Sequence, residues 1–206
     1  PWEIENAVRE VNDALGNPSL GIHTHNDGEL GVANTLYAVR EGASQVQGTI
    51  NGYGERCGNA NLCSIIPDMV LKMDIDCLSD KELTRLYETS HFIHELTNLP
   101  AIKQRPYVGE SAFAHKGGLH VSAVMKNSET YEHVEPSVVG NRRRVLVSDL
   151  SGRSNILYKA EELGIKIDPK DKRINAILND LKKLENEGYE FEGADASFEL
   201  LIRKAL

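Results

Sequence analysis

A chain of 206 residues with a net charge of −8 and a pI near 5.4 is mildly acidic and offers no general basic surface to a nucleic acid. No apolar stretch approaches the roughly 20 residues of a membrane span, so no membrane partner is expected. Cys57, Cys63 and Cys77 are odd in number and lack Cys-x-x-Cys spacing, which argues against a disulfide framework or zinc ribbon and for reduced thiols in the cytoplasm.

The chain opens directly in a helix. Ile4, Val8, Val11 and Leu15 form an apolar stripe over Trp2–Leu15, closed by Gly16-Asn17-Pro18. A buried strand, Leu20–His23, a helix over Leu30–Glu41 ending at Gly42, a strand over Gln45–Ile50 and a helix over Leu62–Met73 follow. Helix and strand alternating through short turns is the α/β repeat. Ser79-Asp80-Lys81-Glu82 then starts a helix with a capping box, and that helix runs to the residues before Pro100. His91 and His94 on it are expected to be surface or packing residues. Residues 100–110 read as a linker with Pro100 and Pro106. Beyond it come Ala112–Met125, a run of short strands over Thr130–Val147, and helices over Ser151–Leu163, Pro169–Glu187 and Ala196–Leu206.

The chemistry concentrates in two loops. In His23-Thr24-His25-Asn26-Asp27, side chains at i and i+2 of an extended segment point to one side, so His23 and His25 aim into one space. Two converging imidazoles suit a divalent metal; two ordinary strand-end histidines are the plainer alternative. In Gly52-Tyr53-Gly54-Glu55-Arg56-Cys57-Gly58-Asn59-Ala60 the glycines allow tight turns that would bring Asn59 to the same metal.

These two runs, with Phe113–His120, Thr130–His133, Val145–Asn155, Glu187–Phe191 and Ala196–Leu201, resemble the 2-isopropylmalate, homocitrate and citramalate synthases. The closing segments are most similar to the citramalate branch. The resemblance covers nearly the whole chain and implies its fold and function. The fold would be α/β, with residues 1–78 as the last β/α units of a catalytic TIM (β/α)8 barrel. Residues 79–110 would be a helical linker subdomain, and residues 111–206 a small α+β module with C-terminal helices. A complete barrel takes roughly 250 residues, and the Asp-Arg-Glu run that the family carries on its first strand is absent from this sequence. The chain is therefore expected to be a piece of a longer enzyme, inactive alone and with open sheet edges. Leu36, Val39 and Ile65 are expected to lack neighbours.

By resemblance, the parent is an acyltransferase of branched-chain amino-acid biosynthesis. It would condense acetyl-CoA with a 2-oxo acid, pyruvate giving citramalate, by a metal-assisted Claisen-type step and thioester hydrolysis. His23, His25 and Asn59 would hold Mg, Mn or Zn, with Asn26 and Asp27 orienting the histidines. Glu55 would serve the acetyl-CoA or base region, and an ion pair with Arg56 is its plainer reading. His120 and Tyr131 would be the acid/base pair, with His115 a neighbour, on a module that reaches across a homodimer. Arg142-Arg143-Arg144 and Ser151–Asn155 each admit a CoA phosphate contact or a purely structural role. The alternatives are a 2-isopropylmalate or homocitrate synthase, a carbon–carbon lyase on a similar barrel, and a dimerisation module only.

Overall fold

A computed structural model describes residues 1–206, in which no helix is long and apolar enough to cross a membrane. Tertiary contacts gather the chain into two compact units, one of Pro1–Ala112 with Ser137–Asn141, the other of Phe113–Pro136 with Arg142–Leu206. Residues 79–110 fall within the first.

The first unit begins with α1 (Trp2–Leu15), β1 (Leu20–His23), α2 (Gly31–Arg40), β2 (Ala43–Gln47) and α3 (Leu62–Lys72). Strands β1 and β2 pair in parallel with His23 opposite Gln47, and α2 is the crossover that a parallel pair requires. Charged pairs fasten α1 to α2: Arg9 meets Glu41 at 3.0 Å, Arg40 meets Glu5 at 2.7 Å, and the Asn12 amide donates to the Glu41 carbonyl at 2.7 Å. Ala60, Ile65 and Met69 are buried, with Val32, Leu36, Val39 and Val46 partly buried against them. Ile65 therefore has the neighbours it was expected to lack, while Leu36 and Val39 stay half covered. Strand β1 is not buried as its sequence suggests. Its residues alternate between half-buried and exposed, because one parallel partner and one helical layer cannot cover both faces. Strand β2 also ends earlier than expected, and Ile50–Gly52 make a 3-10 turn instead.

The helix expected over residues 79–99 is two: α4 (Asp80–Leu83) and α5 (Leu86–Thr97). The Ser79–Glu82 capping box is present. The break falls at Thr84, where Gly140 presses in: a Cβ on Gly140 would lie 2.0 Å from the Thr84 carbonyl oxygen, and its φ of +74° also favours glycine. Asn141 beside it donates to the carbonyls of Tyr107 at 2.8 Å and Gly109 at 3.0 Å.

The second unit contains β3 (Ala114–His115), α6 (Gly118–Val124), β4 (Arg144–Val145), α7 (Arg153–Glu162), α8 (Arg173–Asn186) and α9 (Asp195–Ala205). The expected run of short strands over Thr130–Val147 reduces to β4, paired in parallel with β3. Ser128–Thr130 and Pro136–Val139 are 3-10 turns, the first capped by the Asn127 side chain and the second opened by proline, and the remaining residues are irregular. The core is helical. Ile174, Ile177 and Leu181 at i, i+3 and i+7 of α8 meet Ile156 of α7 and Phe198 and Ile202 of α9, all essentially unexposed. Burying each such side chain stabilises by about 1.5–3 kcal/mol.

Candidate metal centre and its supporting loops

Past the end of β1 the chain stays extended. Thr24 is buried, its hydroxyl 2.9 Å from both the Gly31 carbonyl and the Thr35 hydroxyl. Alternation therefore puts His23 and His25 on the other side, where their rings stand edge to face with centroids 5.2 Å apart. His25 is the antiparallel bridge partner of Asn59. The bonds Ala60 N–H to Thr24 O (3.0 Å) and Asn26 N–H to Gly58 O (2.8 Å) hold the two segments together. The structure thus brings His23, His25 and Asn59 together.

Asn59 sits in a cradle built for it. Its amide nitrogen donates to the Tyr53 carbonyl at 3.2 Å, while its Oδ1 is buried and accepts no hydrogen bond. A Cβ on Gly54 would come within 2.7 Å of that amide nitrogen, so glycine is what leaves room for the side chain. A buried, unsatisfied amide oxygen costs about 1–3 kcal/mol, and two imidazoles with an amide oxygen form a donor set that suits a divalent cation. No group of three His, Cys, Asp or Glu side chains is placed to hold a metal ion by itself.

The other residues of these loops have structural partners. Asn26 Oδ1 accepts the Gly31 N–H at 3.1 Å, at the start of α2. Asp27 takes a two-pronged contact from Arg56, at 2.7 and 3.0 Å. That contact holds its carboxyl below the usual carboxylate range, with His25 a smaller contributor. Glu55 is 87% exposed and lies 3.8 Å from Arg56, whose guanidinium is engaged mainly by Asp27.

Helix α5 supports the glycine-rich loop from behind. Asn51, left-handed at φ 65°, exchanges hydrogen bonds with Ser90: its amide donates to the Ser90 carbonyl at 2.9 Å, and the Ser90 hydroxyl donates back at 2.5 Å. Arg105 donates to the Asn51 carbonyl. The Tyr53 hydroxyl and His94 Nδ1 share a 2.5 Å hydrogen bond, and His91 stacks on Tyr87. Burial, then Arg105 and His91, push the His94 imidazole below its ordinary pKa and so keep it neutral at pH 7.

In the second unit, His120 and Tyr131 are exposed and stacked, with ring centroids 4.3 Å apart and planes tilted by 33°. His115 lies 6.5 Å from the Tyr131 ring. Beneath them Glu132 is buried between His115 Nε2 (2.9 Å) and Arg143 Nε (2.7 Å). Burial pushes the Glu132 carboxyl up, but Arg143 and His115 outweigh it and hold it below the usual range.

Two family models divide this chain between them. The one described as HMGL-like matches residues 1–93, and the one described as Homocitrate synthase post-HMGL domain-like matches residues 107–189. The (R)-citramalate synthase of Geobacter sulfurreducens is 61% identical over 206 residues, all of this chain and 39% of that protein. The (R)-citramalate synthase of Aquifex aeolicus is 53% identical over 99% of this chain and 39% of its own length. A probable 2-isopropylmalate synthase of Methanopyrus kandleri is 40% identical over 91% of this chain and 37% of its own length. The chain belongs to the citramalate, 2-isopropylmalate and homocitrate synthase family. The HMGL-like match puts its first part in the TIM-barrel superfamily. The chain spans about two fifths of the length of the curated relatives it matches (39%).

Within this family segment two basic features are already engaged by the protein itself. Arg143 is bound to Glu132, with Glu135 at 3.4 Å. Arg153 donates to the Asn175 side chain at 2.7 Å and the Pro169 carbonyl at 2.6 Å, and Asn155 Oδ1 accepts the Gly152 N–H at 3.0 Å to cap α7. Sequence reasoning singled out neither Glu132 nor Asn51. Glu132 stands in the Thr130–His133 motif, yet no spacing rule pairs it with Arg143. The isolated Asn before Gly52 was the available signal for a left-handed turn at Asn51.

Proposed function

We propose that this chain forms the last two β/α units of a TIM barrel and the linker modules after them in an acyltransferase. The parent enzyme condenses acetyl-CoA with a 2-oxo acid, pyruvate giving citramalate, and acts as a cytoplasmic homodimer in branched-chain amino-acid biosynthesis. The names of its relatives support the reaction. The half-exposed parallel pair β1–β2 supports the barrel, since parallel strands are stable when covered on both faces.

The observation that carries the reading is that His23 and His25 stand ring to ring, with Asn59 bridged to His25 and its Oδ1 buried and unpartnered. These three side chains would hold a divalent metal (Mg, Mn or Zn), with further ligands from outside this chain. Bound there, such an ion would polarise the keto oxygen of the 2-oxo acid and neutralise the negative charge that develops on it. Glu55, exposed at the mouth of the loop, orients the acetyl-CoA. His120 carries the proton between the thioester's methyl group and solvent, and the Tyr131 hydroxyl orients the water that releases CoA.

Release of CoA thiol by the full-length enzyme, compared for pyruvate and 2-oxoisovalerate, tests the substrate; faster turnover with 2-oxoisovalerate would overturn the choice of pyruvate. In the same assay His25→Ala should abolish nearly all turnover and His120→Ala should lower it about 10²–10⁴-fold with metal retained. Full activity and full metal occupancy in His25→Ala would sink the metal assignment.

A further inference from the structure

A hydrogen-bonded line runs from α5 to Asn59, and the proposed chemistry does not use it. His94 Nδ1 holds the Tyr53 hydroxyl at 2.5 Å, with the two rings edge to face at 5.8 Å. The Tyr53 carbonyl in turn accepts the Asn59 amide nitrogen at 3.2 Å, and the Thr49 hydroxyl at 2.6 Å fixes that carbonyl from a second side. A primary amide is a rigid plane, so holding its nitrogen decides where its oxygen lies. The oxygen of Asn59 is the atom left buried and unpartnered.

We infer that Tyr53 and His94 are positioning residues for the metal: His94 anchors Tyr53, and Tyr53 holds the Asn59 amide with its oxygen presented as a ligand instead of rotated away. This rests on the metal reading above. His94 is buried and neutral, so it can accept the tyrosine hydroxyl without a charge to desolvate. Gly54 leaves room for the amide, and the Tyr53 carbonyl is the acceptor that holds its nitrogen. Groups that orient a metal ligand from behind typically change metal affinity by about 10–100-fold.

The test is Mn²⁺ titration of the metal-free full-length enzyme, followed by calorimetry and electron paramagnetic resonance. Tyr53→Phe should weaken Mn²⁺ binding about tenfold, and His94→Leu should do the same by the same route should the first variant fail to fold. His94→Asn, which keeps an acceptor near the position of Nδ1, should restore most of the affinity. Ser90→Ala is the control: it removes a 2.5 Å hydrogen bond between the same loop and the same helix without touching the line to Asn59. It should leave Mn²⁺ affinity unchanged. Wild-type affinity in both Tyr53→Phe and His94→Leu, or an equal loss in Ser90→Ala, would overturn the inference. Wild-type Mn²⁺ affinity in His25→Ala would instead remove the metal reading, and the inference with it.

Discussion

The helical core of one unit and the parallel sheet of the other cover their apolar surface to different degrees. In the unit built on α7, α8 and α9, the side chains of Ile156, Ile174, Ile177, Leu181, Phe198 and Ile202 have essentially no exposure. In the other, the sheet's own cluster buries only Ala60, Ile65 and Met69, and β1 stays half open. The cause lies in the backbone. A helix pairs its own N–H and C=O groups, so three helices can close a core among themselves. A parallel strand must find partners on both edges and cover on both faces. The three helices close a core among themselves, while the two-stranded sheet keeps open edges and a half-exposed face.

Cutting the chain should give the largest effect. Residues 113–206 alone are expected to show one cooperative urea transition. Residues 1–112 alone, with open sheet edges and without Gly140 and Asn141, are expected to associate in sedimentation experiments and to lack a sharp transition. A monomeric, cooperatively unfolding 1–112 would break the comparison.

Glu132→Ala comes next, because it leaves Arg143 and buried His115 without their shared carboxylate, at a cost of about 3–5 kcal/mol. Since the folded Glu132 has a lowered pKa, its contribution is complete above the ordinary carboxylate range and is lost as pH falls through the lowered value. The stability gap between wild type and Glu132→Gln should therefore narrow on acidification, as read from urea midpoints between neutral pH and pH 3. A gap that is constant over that range would assign the cluster no electrostatic role.

Ser79→Ala should have the smallest effect, about 1 kcal/mol, by removing the cap of α4. Measured in the full-length enzyme, a larger loss would mean that the first unit leans on α4 more than its exposed cap suggests.

Local periodicity made much of this legible. The apolar spacing of α1, β1, α2, α3 and the three C-terminal helices gave their positions to within a few residues, and the i, i+2 rule put His23 beside His25 with Thr24 turned away. What stayed hidden depends on partners far apart in the chain. Gly140 packs against the break at Thr84, Arg143 and His115 enclose Glu132, and burial, then Arg105, pushes His94 below its ordinary pKa. Strands expected over Thr130–Val147 are interrupted by a proline-led turn at Pro136–Val139 and by irregular backbone on either side of it. Burial of β1 differs for the opposite reason: its sequence is that of a covered strand, and one parallel partner leaves alternate residues exposed.

The return of Ser137–Asn141 to the first unit has a consequence for synthesis. A ribosome makes the chain from its N-terminus, yet the Thr84 bend and the carbonyls of Tyr107 and Gly109 wait for Gly140 and Asn141. At roughly 5–20 residues per second the intervening stretch takes a few seconds to appear. During that interval the α4–α5 corner lacks its clasp, so a nascent chain passes through a window in which a chaperone or a protease meets that corner open.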